Sequence, residues 1–211
     1  MKKYVLIASL AVLMGACGEK AEQAAPASEA PKAAEQAQTP ATPPAPAPDK
    51  AALTEQAKAA VQALGSTLKG ELEAAMTAGG PVEAMGICNT KAPEIAKAVS
   101  AEKGMEVSRV SLKSRNAKTG VANDWQTKVL NDFETRKTAG EDPATLVYSE
   151  VVGNEFRFMK AIPTGAVCLK CHGTDISPAV TAKLTELYPQ DKATGYKEGD
   201  LRGAFVAVKH F

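Results

Sequence analysis

Apolar positions recur at three- and four-residue spacing early in the chain: Leu53, Ala57, Ala60, Val61, Leu64, Leu68, Leu72 and Met76. That period lines one stripe of a helix, so it predicts a long amphipathic helix over residues 51–78, ended by Gly79-Gly80. Pro81 suits the first position of a second helix, where a missing N–H costs nothing. Val82, Met85 and Cys88 lie along that helix, and Pro93 kinks or restarts it before its end at residue 101. Over 106–115 the pattern changes to alternation, with Arg109, Ser111, Lys113 and Arg115 on one side and Val110 and Leu112 on the other, which predicts a strand. A loop over 116–120 precedes a helix over 124–137, whose buried face is Trp125, Val129, Leu130 and Phe133. Residues 146–152 and 155–162 are rich in β-branched and aromatic side chains, and Gly153-Asn154 between them predicts a hairpin. A short helix over 178–187 and a last strand over 203–210 complete the pattern. Helices gather in the first half and strands come as antiparallel neighbours, an α+β arrangement with helices packed on one antiparallel sheet.

The N-terminus follows a different logic. Lys2 and Lys3 precede an apolar run over 4–13 that is too short for a comfortable membrane span, so residues 1–16 read as a signal peptide. The run ends in Leu13-Met14-Gly15-Ala16-Cys17, which resembles a lipoprotein cleavage site with the lipid carried on the thiol of Cys17. An ordinary signal peptide that leaves Cys17 as a spare thiol is the alternative. Residues 17–50 are mostly Ala, Pro, Glu, Gln and Thr, too poor in large apolar side chains to offset their ordering entropy, and are expected to form a disordered tether. Gly18 and Glu19 follow Cys17 without an Asp at the second position, the inner-membrane retention signal, which points to the outer membrane. Residues 51–211 then make one folded domain with enough chain for a core. With 25 Lys and Arg against 24 Asp and Glu the chain is nearly neutral, and no basic stripe calls for nucleic acid.

The sharpest chemistry lies in Cys168-Leu169-Lys170-Cys171-His172-Gly173. In a C-x-x-C-H motif each thiol adds across one vinyl group of haem, and the histidine ligates the iron. A thioredoxin-like pair would want a strand before it and a βαβ frame, and a zinc site would want a second Cys/His pair. A disulfide is the third alternative. Export supplies the compartment in which bacterial haem c is attached, so the expectation is one covalent haem c held by Cys168 and Cys171, with His172 on the iron.

Cysteine arithmetic leaves Cys88 alone. Either it is a small hydrophobe on a core-facing helix, or its thiolate is the second axial ligand; Met76, Met85, Met105, Met159 and His210 compete for that role. Arg109, Lys113 and Arg115 are candidates to pair with the haem propionates, or else form a solvated strand face.

An ordered series of motifs adds to this reading: Gly86-Ile87-Cys88-Asn89, Arg109-Val110-Ser111-Leu112-Lys113-Ser114-Arg115-Asn116, Phe158-Met159-Lys160-Ala161-Ile162, the haem motif, 188–196 from Tyr188-Pro189-Gln190, and Gly199-Asp200-Leu201-Arg202-Gly203-Ala204. Together they resemble the bacterial single-haem c-type proteins with a PAS-like domain. The resemblance implies a five-stranded antiparallel sheet flanked by helices, with His172 and Cys88 as the axial pair. Two functions follow from it. One is an electron carrier serving a periplasmic or membrane redox partner, and the other is a module sensing redox state or a diatomic gas. No acid–base or nucleophile constellation suggests an enzyme.

Overall fold

A computed structural model of the chain describes residues 49–211. The expected signal peptide, the lipid site at Cys17 and the tether up to residue 48 lie outside the described residues.

The first helix, α1 (Lys50–Gly86), is opened by Asp49, whose carboxylate accepts from the backbone N–H groups of Ala51 and Ala52 at 2.9 and 3.2 Å. Its stripe from Leu53 to Leu68 is buried. Gly80, at φ 73°, ψ −166°, interrupts the helix, and Pro81 reopens it, as the sequence predicts. Five residues, Ile87–Lys91, then wind as a π-helical turn into α2 (Ala92–Lys103). The remaining elements are β1 (Glu106–Val110), α3 (Asp124–Thr138), β2 (Val147–Val152), β3 (Glu155–Pro163), α4 (Leu169–His172), α5 (Pro178–Leu187) and β4 (Leu201–His210). Asn123 and Gln126 form a reciprocal capping box at the start of α3.

The sheet is antiparallel throughout, in the order β1-β4-β3-β2. Alternation along the strands buries both faces. Val107, Phe156, Phe158 and Ala207 pack on α1 and α2, while Val110, Met159, Ala161, Ala204 and Val206 pack on Val129, Leu130 and Phe133 of α3. A third cluster, Met85, Val180, Leu184 and Tyr188, ties α5 to the far end of α1. The α+β class is as expected, with helices on both faces.

Two expectations need correction. The sheet of the described residues has four strands where the resemblance implies five. The strand predicted over 106–115 ends at Val110, beyond which Ser111 makes only an isolated bridge to Val121. Ser111 Oγ donates to the Arg202 carbonyl at 2.8 Å and accepts from the Lys113 N–H at 3.1 Å, a local turn that competes with the ladder. Gly203 makes this crossing possible: with φ 155°, a Cβ there would stand 2.2 Å from the Val110 carbonyl oxygen.

Candidate functional site

The break in α1, the π-helical turn, the end of β1 and the start of β4 surround a cavity of about 420 Å³ on the α1 side of the sheet. Its size falls within the range of small-molecule and cofactor sites. Cys88, Cys168, Cys171 and His172 all line it, with Met76, Met85, Arg109, Arg115, Tyr188 and Arg202.

The motif enters the cavity wall through a tight turn. A 3-10 turn over Ala166–Cys168 passes into α4, so one helical turn carries both cysteines and the histidine. Gly173 follows because a Cβ there would sit 2.6 Å from the Leu169 carbonyl oxygen. The segment after α5 then straps the motif from behind. Gly195 N–H donates to the Gly173 carbonyl and Tyr196 N–H to the His172 carbonyl, each at 2.9 Å, and the Tyr196 ring meets the imidazole edge-on.

The same strap fixes the histidine. His172 Nδ1 lies 2.7 Å from the Ala193 carbonyl oxygen, and because a carbonyl can only accept, Nδ1 carries the proton and Nε2 keeps its lone pair. Burial first, then the nearby Arg202 and Arg115 charges, push the imidazole down to about 2. The ring is therefore a neutral donor ligand at any ordinary pH. Between an unfolded value near 6.5 and a folded value near 2, the unfolded chain binds the extra proton, so the stability present above pH 6.5 is lost as pH falls. For haem-free chain, urea titration at pH 7 and pH 5 should show a loss on the order of 2 kcal/mol. His172→Gln should remove that pH dependence.

Arg115 organises this wall. It pairs with Asp191 at 3.1 Å, with the two side chains only 10% and 11% exposed. Its Nη2 also donates to the carbonyls of Cys171 and Ala193. Arg115 thus holds both the motif and the carbonyl that orients His172. Burial pushes the Cys171 thiol up, with Arg115 opposing, which leaves it a protonated thiol.

Cys88 sits on the π-helical turn and is exposed toward the cavity. π-Helical turns interrupt a helix at the expense of regular hydrogen bonding and recur at functional sites. Of the competing ligands, Met76 and Met85 share the cavity. Met105 is buried in the α1 core cluster, Met159 lies on the α3 face, and His210 is at the end of β4 beside Glu155, 3.6 Å away.

The expected propionate partners divide. Arg109 lines the cavity. Arg115 also lines it but is committed to Asp191. Lys113 lies outside it, its ammonium donating to the Thr194 carbonyl and resting over the Tyr196 ring. The face assigned by alternation fails there because the strand has already ended. Sequence reasoning missed Arg202, whose signal is a lone arginine among the apolar residues of a strand. It also assigned no role to Asp191, Ala193 or Tyr196.

The residues fit haem on their own chemistry. Two thiols and an imidazole with a free Nε2 share a cavity wall, and a buried Arg202 Nε lacks any partner. No three His, Cys, Asp or Glu side chains among the described residues gather as a protein-only metal cage. The fold and cavity thus define a small α+β domain with a cofactor-sized site that has a C-x-x-C-H turn in its wall.

The chain belongs to the Tll0287-like family, whose model matches residues 28–208. A solved structure, the cyanobacterial heme-protein Tll0287, shares the fold: TM-score 0.59 at 22% identity, covering 77% of this chain and 97% of that one. No curated protein matches this chain.

Proposed function

We propose that this chain is a single-haem c-type protein that passes single electrons, anchored by a lipid on Cys17 to the periplasmic side of a bacterial membrane, the outer one by the residues after Cys17. The observation that carries the reading is the His172 imidazole, held neutral with Nε2 free, in the same cavity as Cys168, Cys171 and Cys88. That the similar cyanobacterial structure is a heme-protein supports it. Bound haem would supply a one-electron iron couple. Cys168 and Cys171 would hold its porphyrin through thioether bonds, His172 would ligate the iron, and Cys88 thiolate would be the second ligand. A thiolate favours ferric iron, so a low reduction potential is expected. No catalytic role is assigned. The carrier would exchange electrons with a periplasmic or membrane partner.

Sensing of redox state or a diatomic gas is the second reading, favoured by one observation: Cys88 rides on a π-helical turn, a departure from regular helix that recurs at functional sites. Optical and electron paramagnetic resonance spectra of wild type and Cys88→Ala, oxidised and reduced, with and without carbon monoxide, test both. The low-spin thiolate signal of the oxidised protein should vanish in Cys88→Ala. An unchanged spectrum would remove Cys88 from the iron and leave Met76 or Met85. Carbon monoxide binding to reduced wild type would favour sensing, and indifference to it would favour the carrier.

A further inference from the structure

Three guanidinium groups meet at one end of the cavity, and they are not equivalent. Arg115 is neutralised by Asp191. Arg109 faces the open interior, and among the described residues no hydrogen bond or ion pair engages it. Arg202 is the second residue of β4; its guanidinium lies over the Tyr196 ring, its buried Nε has no hydrogen-bond partner, and Nη1 reaches the Lys113 carbonyl at a long 3.4 Å. Loss of solvation pushes both Arg109 and Arg202 down from their ordinary value; Cys88 and Tyr188 oppose this at Arg109, and at Arg202 Tyr196 and Asp191 oppose it while the charges of Arg115 and Arg109 add to it. Arginine keeps its proton regardless. Arg109 is open to the solvent of the cavity and Arg202 is half-buried, and among the described residues neither guanidinium has a carboxylate at ion-pair distance.

We infer that Arg109 and Arg202 together form the anchor for the two haem propionates, an inference that rests on the haem reading above. The charges match two for two, and the guanidinium fork is the geometry that grips a carboxylate through paired hydrogen bonds. Gly203 beside Arg202 lets β4 pass close under Val110, which brings Arg202 to the same end of the cavity as Arg109 on β1. The pair fixes which way the macrocycle lies and adds positive charge near the iron, which favours the ferrous state.

The test uses the haem-loaded protein and its Arg202→Gln, Arg109→Gln and Arg202→Lys variants, with Lys58→Gln on the outer face of α1 as a charge control. Reduction potentials and the propionate bending bands in resonance Raman spectra are the readouts. Each glutamine variant should shift the ferric–ferrous equilibrium toward ferric on the order of tenfold, about 59 mV for one electron, and should move a propionate band. Arg202→Lys keeps the charge, so its potential should stay near wild type while the band moves, and Lys58→Gln should alter neither. Wild type without covalent haem would sink the haem reading itself. Haem-loaded variants at both arginines with unmoved potential and bands would overturn this inference alone.

Discussion

Cys168→Ala/Cys171→Ala should yield a chain with no haem that survives denaturation, whereas wild type should carry one haem's added mass after unfolding and stain for haem on a denaturing gel. The expected effect is complete loss because the thioether bonds are the only covalent link the motif offers. Both thiols lie on one helical turn in the wall of the cavity, so removing both leaves the fold's packing clusters intact apart from Cys171 beside Val180 and Leu184. Haem that remained attached after denaturation of the double variant would show that the bond is made elsewhere. A single replacement, at Cys168 alone, should leave one thioether and a shifted ferrous spectrum.

The largest stability effect is expected at Arg115. Replacing it with alanine leaves Asp191 buried and unpaired, and removal of one partner of a buried pair typically costs about 3–5 kcal/mol. The loss should exceed that of a surface pair such as Lys58 and Glu55, whose disruption costs at most about 1 kcal/mol. It also releases the Cys171 and Ala193 carbonyls, so the imidazole loses the support that fixes its tautomer. Urea unfolding measures the first consequence, and the width of the His172-derived spectral lines in the haem-loaded protein measures the second. Arg115→Met/Asp191→Leu should recover most of the stability without restoring the lines. An Arg115→Ala protein as stable as wild type would show that the pair contributes little.

Local periodicity made much of this molecule legible in advance. The stripe of α1, the stop at Gly79-Gly80, the reopening at Pro81, the hairpin about Gly153-Asn154 and the face of α3 all depend on neighbours within a few residues, which sequence displays directly. The C-x-x-C-H turn was legible for the same reason. What was hidden is what distant segments impose. Alternation cannot reveal that Ser111 turns onto Arg202, so the parity that put Lys113 beside Arg109 ran past the end of the strand. The strap from Asp191 to Tyr196 was hidden too, because it works mainly through backbone carbonyls and N–H groups, which leave no mark in residue identity. Arg202 could have been suspected from its apolar strand, but its lack of a partner is visible only in three dimensions.

The strand order carries a consequence for the sequence of events in folding. β4 is the last of the four strands along the chain, yet it lies between β1 and β3. A chain that emerges N-terminus first presents β1 long before β4, its one strand partner among the described residues, exists, so that strand must wait with an open ladder while the hairpin of β2 and β3 can already close. Its short length and the charged Glu106 and Arg109 make it a poor template for strangers during that wait. The C-x-x-C-H turn emerges within the same interval, before the strap that later grips it. Cofactor-attaching machinery would thus meet an accessible, half-built wall, to which the strap and Arg202 of β4 are added last.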